Sequence, residues 1–175
     1  MRIVPFDASR VEALIEFFAQ LPDRDLTFIK EDVSPGAVRS WSNVAQQWLA
    51  LDGAVVTGYV AVRPLARWSD HVGELRLVVR PDRRRGGIGR ALAQHALLEA
   101  VRAGRRKVVV ELAAEQEHAV AMFASIGFEG EALLRDHIRD REGRLRDLVM
   151  LAHFVDGTWA AMENAGITDE LEALS

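Results

Sequence analysis

The chain of 175 residues contains no cysteine. Disulfides, thiolate metal ligands and a cysteine nucleophile are therefore excluded, and no metal site is expected. Tyrosine occurs once, as Tyr59, so a mechanism that needs a phenolic proton donor has a single residue available. No apolar run approaches the roughly 18 residues that span a bilayer. The first residues, Met1-Arg-Ile-Val-Pro-Phe-Asp7, carry no apolar signal core. Neither membrane insertion nor secretion is expected, and cytoplasmic residence is the default. No repeat, low-complexity segment or internal linker interrupts the chain, so one domain over residues 1–175 is expected.

Apolar residues form 49% of the sequence and charged residues 27%, a balance that suits a globular protein with a real core. The net charge of −4 hides an asymmetry. Residues 80–107 hold nine Arg/Lys against two Asp/Glu, a local excess of +7 that leaves −11 for the remainder. A compact basic patch on an acidic body suits a polyanionic small molecule better than nucleic acid, which asks for a broader basic face.

That patch lies in the most informative stretch. Glu74-Leu-Arg-Leu-Val-Val-Arg80 reads as a buried strand that Pro81 ends, since proline cannot donate to a ladder. The turn Arg83-Arg-Arg-Gly-Gly-Ile-Gly89 follows, and then a helix-patterned run from Arg90 to Ala103 stops at Gly104. Glycines at 86, 87 and 89 remove side chains where a helix begins. The first helical turn leaves amides unpaired and carries roughly half a positive charge. With three arginines beside it, this is a site for phosphate or pyrophosphate.

The other elements read as follows. Arg2 to Phe6 is a short strand, and Ser9 caps a helix carrying Val11, Leu14, Ile15 and Phe18. Residues 24–32 show no clear period. Ser34-Pro35 starts a helix whose one side carries Val38, Trp41, Ala45 and Trp48. Trp48 to Leu51, the Asp52-Gly53 turn and Ala54 to Arg63 make a β-hairpin. Lys107 to Leu112 is a second buried strand, parallel to the first because a helix connects them. A helix from Glu117 to Ile126 ends at Gly127. A closing hairpin, Phe128 to Arg139 with Leu145 to Phe154, precedes a tail of helical composition from Val155 to Ser175.

Pro81-Asp-Arg-Arg-Arg-Gly-Gly-Ile-Gly-Arg-Ala-Leu92 resembles the acetyl-coenzyme A signature of the GNAT superfamily of N-acetyltransferases. That signature is Arg or Gln, two residues, Gly, one residue, then Gly or Ala; here it falls on Arg84, Gly87 and Gly89. Lys107 to Leu112, followed by Gln116 to Gly127-Phe128, is similar to the next strand and helix of the family. The resemblance covers residues 54–153. It implies an α/β (α+β) fold: a central mixed, mostly antiparallel sheet, flanked by helices, whose parallel central strands splay for the cofactor. It also implies transfer of an acetyl group from acetyl-CoA to a primary amine of a small molecule or protein, with homodimerisation an open expectation.

By the same resemblance the turn Arg84-Arg85-Gly86-Gly87-Ile88-Gly89-Arg90 holds the cofactor phosphates, and the backbone of Leu77, Val78 and Val79 pairs with its pantetheine arm. Gln116 stands where the family commonly has a cofactor-holding Asn. Phe123 stands where it commonly has the Tyr that protonates the leaving thiolate, and is carried over as a cofactor contact. Phenylalanine donates no proton, so water, His118 or no acid at all remains. Candidate bases are Glu74, ten residues before Arg84, then His71 and, third, Glu111. Trp41 and Trp48 are read as core positions with substrate contact as the alternative. A Rossmann turn is disfavoured by Leu92, where a third glycine belongs, although Glu111 falls at a suitable distance. A non-catalytic acyl-CoA-binding or regulatory module stays open because of Phe123.

Overall fold

The structure is a computed structural model describing residues 1–41, 44 and 46–155. Its frame is a seven-stranded sheet of β1 (Arg2–Pro5), β2 (Gln47–Asp52), β3 (Val55–Pro64), β4 (Val72–Val79), β5 (Lys107–Ala113), β6 (Glu129–Arg139) and β7 (Leu145–Phe154), in the order β1-β2-β3-β4-β5-β7-β6. Every neighbouring pair is antiparallel except β4–β5, which is parallel. The sequence expectation of a mixed, mostly antiparallel sheet with a parallel central pair is met.

Helices α1 (Val11–Ala19), α2 (Asp23–Leu26) and α3 (Pro35–Ser40) cover one face; α4 (Ile88–Arg102) and α5 (Glu117–Ala124) cover the other. Of three apolar clusters among the described residues, the two larger follow from this arrangement. On the α4 face Val60, Val62, Leu75, Val108 and Val110 pack with Leu92, Ala93, Ala96 and Phe123. On the α1 face Leu49, Leu51, Tyr59 and Ala61 pack with Leu14, Phe17, Phe18 and Val38. The period-2 alternation of strands sorts these residues to opposite sides. Along β4, Leu75, Leu77 and Val79 therefore belong to the α4 face, whereas Val78 belongs to the other.

Two glycines are required by close approach. A Cβ on Gly58 would lie 2.8 Å from Leu92 Cδ1 and 3.2 Å from the Val78 carbonyl, so a side chain there would push α4 off the sheet. A Cβ on Gly73 would lie 2.6 Å from Val62 Cγ1.

Between α3 and β2 the hairpin expected from Trp48 onward forms, but the helix stripe drawn through the same residue does not. The expected helix carrying Val38, Trp41, Ala45 and Trp48 on one side ends at Ser40, and Trp48 lies in β2, paired with both Pro5 and Val60. Trp48 packs into the α4 face, edge-on to His95 at 5.2 Å, while Trp41 stacks on Tyr59 at 5.8 Å on the other face. Opposite faces of a sheet cannot be one helix stripe. Gln47 replaces the helical hydrogen bonds: its amide donates to the Trp41 (2.8 Å) and Val44 (2.7 Å) carbonyls, and its Oε1 accepts from the Tyr59 hydroxyl at 2.7 Å. Residues 24–32, read as aperiodic, include the short α2, which follows Pro22 and has Asp23 and Asp25 in its first turn, as a helix dipole favours. Ala45, and the tail beyond Val155, lie outside the described residues.

Candidate functional site

The parallel pair defines the site. Only Val72, Gly73 and Glu74 of β4 pair with Lys107, Val108 and Val109 of β5; beyond Glu74 and Val109 the two strands part. Leu77, Val78, Val79 and Leu112 line the opening and are half-buried, whereas Val72, Gly73, Glu74 and Leu75 are buried. β4 stays paired with β3 as far as Val79, so only its β5-side edge is released. Main-chain donors and acceptors on that edge are available to an extended ligand.

At the open end of β4 stands the glycine turn. Arg85 (φ 64°) and Gly87 (φ 81°) are left-handed and flank Gly86, a reversal of hand typical of backbone anion nests. Gly87 is the N-cap of α4, and the first helical bond there is Ala91 N–H to the Gly87 carbonyl at 3.0 Å. The amides of Ile88, Gly89 and Arg90 precede that bond and belong to the unpaired first turn. A Cβ on Gly89 would touch Val79 and Leu77 at 3.6 and 3.9 Å, so this glycine sets how closely α4 rests on β4. The arginines divide their work. Arg84 donates from Nε to the Val79 carbonyl (3.1 Å) and pairs with Asp25 of α2 (3.0 Å). Arg83 pairs with Asp52 (3.2 Å), and Arg90 donates to Ser125 Oγ (2.8 Å). Arg85 is exposed and forms no ion pair among the described residues. The turn thus offers bare backbone, free amides and unspent positive charge, which fits a pyrophosphate.

Across the opening, Gln116 accepts the Ala113 N–H on Oε1 at 2.9 Å and closes the β5–α5 turn, which leaves its NH2 end for a ligand. Phe123 is a core residue: it is 1% exposed and packs edge-on to Phe128 at 5.2 Å. So little surface remains that its packing, rather than a ligand, accounts for it. Tyr59 cannot stand in as an acid. It is buried under α1, and burial pushes its pKa up despite the nearby Arg63. His118 is exposed at the start of α5.

The candidate bases separate clearly. Glu74 sits at the fork itself, 6% exposed, on the face under α1–α3. Its carboxylate meets Arg76 at 2.7 Å and Lys30 at 3.3 Å. Lys30 also reaches Glu111 at 2.9 Å, and Arg76 reaches Glu31 at 3.2 Å. Partial burial opposes the charge on Lys30, but the hydrogen bond it donates to Glu111 and the field of Glu74 outweigh it and raise its pKa. His71 is exposed at the closed end of the pair, where its carbonyl accepts the Arg106 N–H at 2.9 Å. Three residues of strand, about 10 Å, part it from Glu74, so the structure does not bring the two together. Beside this network a cavity of about 530 Å3 opens between Ile15, Phe18, Leu26, Ile29, Glu31 and Arg141. Lys30, Glu31 and Arg76 escaped the sequence reading because nothing local marks them; their partners lie far along the chain.

A sheet whose one parallel pair splays opposite a glycine turn and a helix N-terminus is the frame of an acyl-CoA-dependent transferase. The acetyltransferase (GNAT) family matches residues 15–128. The chain belongs to that family. It is 30% identical over 81 residues to the [ribosomal protein bS18]-alanine N-acetyltransferase of Escherichia coli K12, a match covering 46% of this chain and 55% of that protein. The chain thus spans about half the length of the curated relatives it matches. Among solved structures, a ribosomal-protein-alanine N-acetyltransferase from Brucella melitensis superposes with a TM-score of 0.79 at 22% identity, over 88% of this chain and 99% of that one. The yncA protein of Salmonella typhimurium, solved with its cofactor acetyl-CoA, gives 0.78 at 21% identity, over 88% and 93% of the two chains.

Proposed function

We propose that the protein transfers an acetyl group from acetyl-CoA directly to a primary amine. The observation that carries this is the end of β4–β5 pairing at Glu74 and Val109, which leaves the last residues of β4, up to Val79, unpaired on that edge ahead of the glycine turn. The residues fit the cofactor. The amides at 88–90, the bare backbone at Gly86 and Gly87 and the charge of Arg85 would hold its phosphates. The freed edge of Leu77 to Val79 would receive its extended arm. Acetyl-CoA supplies an acyl carbon already activated as a thioester.

What remains for the protein is to present a neutral amine. A lysine-type amine is deprotonated only about once in 2,500 at neutral pH, given a reference pKa near 10.4. Glu74 is the proposed base: its side chain is buried at the fork and faces the 530 Å3 cavity's side of the sheet, where an acceptor would approach. A positioned base contributes about 10²–10⁴-fold. No phenolic acid is placed to protonate the departing thiolate, and a thiol pKa near 8.5 makes one dispensable. The acid residues Glu31, Glu74 and Glu111 favour a cationic acceptor. The similarity to alanine N-acetyltransferases of ribosomal proteins favours a protein amine over a free metabolite.

Acetyl-CoA should raise the melting temperature, by linkage worth about 2.7 kcal/mol at a hundredfold excess over Kd. It should also release free thiol in the presence of an amine, measured over a panel of peptides with free N-termini, lysine peptides and polyamines. A thermal shift without thiol release on any amine would favour a binding module. A larger shift with NAD than with acetyl-CoA would favour a dinucleotide site.

A further inference from the structure

The Lys30 ammonium lies where the proposed function needs a protonated acceptor. Glu74 is the last residue of β4 paired with β5, and Glu111 lies two residues past Val109, the last paired residue of β5. The two carboxylates therefore stand on either side of the fork, and Lys30 Nζ lies between them, 3.3 Å from Glu74 and 2.9 Å from Glu111. It comes from the segment after α2, 44 residues from one partner and 81 from the other, so neither contact is a by-product of local geometry. Its side chain is 56% exposed while that of Glu74 is 8%. The lysine enters from the solvent side and its tip stops at the fork. Arg76 keeps Glu31 as a second partner, so the network does not depend on Lys30 for its balance.

We propose that Lys30 is itself an acetyl acceptor, modified within its own chain when acetyl-CoA is bound and no external amine competes. This rests on the acetyl-transfer reading above. Lys30 gives one proton to Glu74, which passes it to water. Its neutral nitrogen forms a bond to the acyl carbon, and the carbon–sulfur bond breaks. The second nitrogen proton ends on the thiolate, so the products are Nε-acetyl-Lys30, CoA thiol and one proton. Loss of the lysine charge releases Glu111 and one oxygen of Glu74, whose other oxygen stays on Arg76. The acetylated chain then presents those freed oxygens to a cationic acceptor, whereas the unmodified chain holds them on Lys30.

The test is mass spectrometry of the intact protein and its Lys30 peptide after incubation with acetyl-CoA, beside the amine panel. One acetyl group per chain should appear at Lys30, at a fractional rate independent of protein concentration. Lys30→Arg should remove it, and Glu74→Gln should slow it by about 10²–10⁴-fold. Free of any turnover, NMR of the Lys30 ammonium in the cofactor-free protein should show titration above that of ordinary lysines, and Glu111→Gln should bring it down. Acetylation of external amines by a protein whose Lys30 stays unmodified with acetyl-CoA alone overturns this inference and leaves the transferase reading standing. Transfer to no amine at all, with no thermal shift by acetyl-CoA, overturns both. Equal labelling of the heat-unfolded chain, or a rate rising with protein concentration, also overturns it.

Discussion

The two sides of the splayed pair are built from different materials. The side toward α4 is made by backbone: released strand edge, left-handed turn, first helical amides and glycines that let α4 lie close. The side toward α1–α3 is made by side chains: Lys30, Glu31, Glu74, Arg76 and Glu111, drawn from three separate stretches. A backbone site accepts any ligand with the right dipoles and extended shape, and tolerates substitution wherever glycine is not required. A side-chain site reads charge and position, so single changes redirect it. The first side suits a common cosubstrate and the second a particular acceptor. Arg84 links them, bonding the end of β4 with one nitrogen and Asp25 of α2 with another.

The sharpest way to break the comparison is Glu74→Gln. If the acceptor side does its work through this carboxylate, turnover should fall by about 10²–10⁴-fold, with acetyl-CoA affinity unchanged. The fold should survive, because Lys30 keeps Glu111 and Arg76 keeps Glu31. The deficit should narrow as pH rises, since more acceptor then arrives neutral. His71→Ala, at the closed end of the pair, should leave turnover as it was. Equal losses for the two variants would remove Glu74 from the role of base.

The complementary change is Gly86→Asp on the cofactor side. A Cβ there would meet only the Arg83 carbonyl, at an ordinary 3.7 Å, and the position needs no left-handed φ, so the turn should keep its shape. Two like charges about 6 Å apart at an effective dielectric of about 20 repel by about 2.8 kcal/mol. Acetyl-CoA affinity should therefore weaken on the order of a hundredfold, read as loss of the ligand-induced thermal shift. An undiminished shift in the folded variant would take the phosphates away from this turn.

This division also decides what the sequence discloses. The cofactor side is contiguous, and strand, proline, arginines, glycines and helix follow one another from Glu74 to Gly104, so each local rule applies in turn. The parallel pairing and the closing hairpin were equally legible, because apolar runs and turn residues mark them. Trp48 fits both the helix stripe and the hairpin strand by sequence, because tryptophan and alanine at helical spacing suit either, and the structure keeps the strand. The deciding bonds are those of Gln47, whose side chain stops the helix. Lys30 gave no signal, because a charged triplet in an aperiodic segment reads as solvated surface until the fold brings Glu74 and Glu111 to it. Phe123 showed the missing acid but not its own burial, which depends on Phe128 and the whole α4 face.

The smallest effect separates the two sides by acid. At the β6–β7 turn, Asp140 accepts the amides of Glu142 (3.0 Å) and Arg144 (2.8 Å) and the guanidinium groups of Arg144 and Arg146, both at 3.0 Å. Burial alone would raise its pKa, but these donors hold the carboxyl at about 2. Arg146 then reaches Glu115 at 2.5 Å and covers the Phe28 ring at 6.0 Å, so Asp140 anchors the hairpin to the loop after α2. The unfolded carboxyl titrates near 3.9. Because the folded value is lower, the unfolded chain binds the proton first. The contribution of Asp140 is complete above about pH 4 and is lost as pH falls toward 2. Between those values the melting temperature of the parent protein should fall more steeply than that of Asp140→Asn, and the two should converge near pH 2. Hydrogen exchange should quicken at residues 140–146 before it does in α4, whose amides depend on apolar packing and no titrating partner. Parallel decline of the two proteins across that window would mean that other carboxylates carry the acid sensitivity and that the hairpin is not held by Asp140.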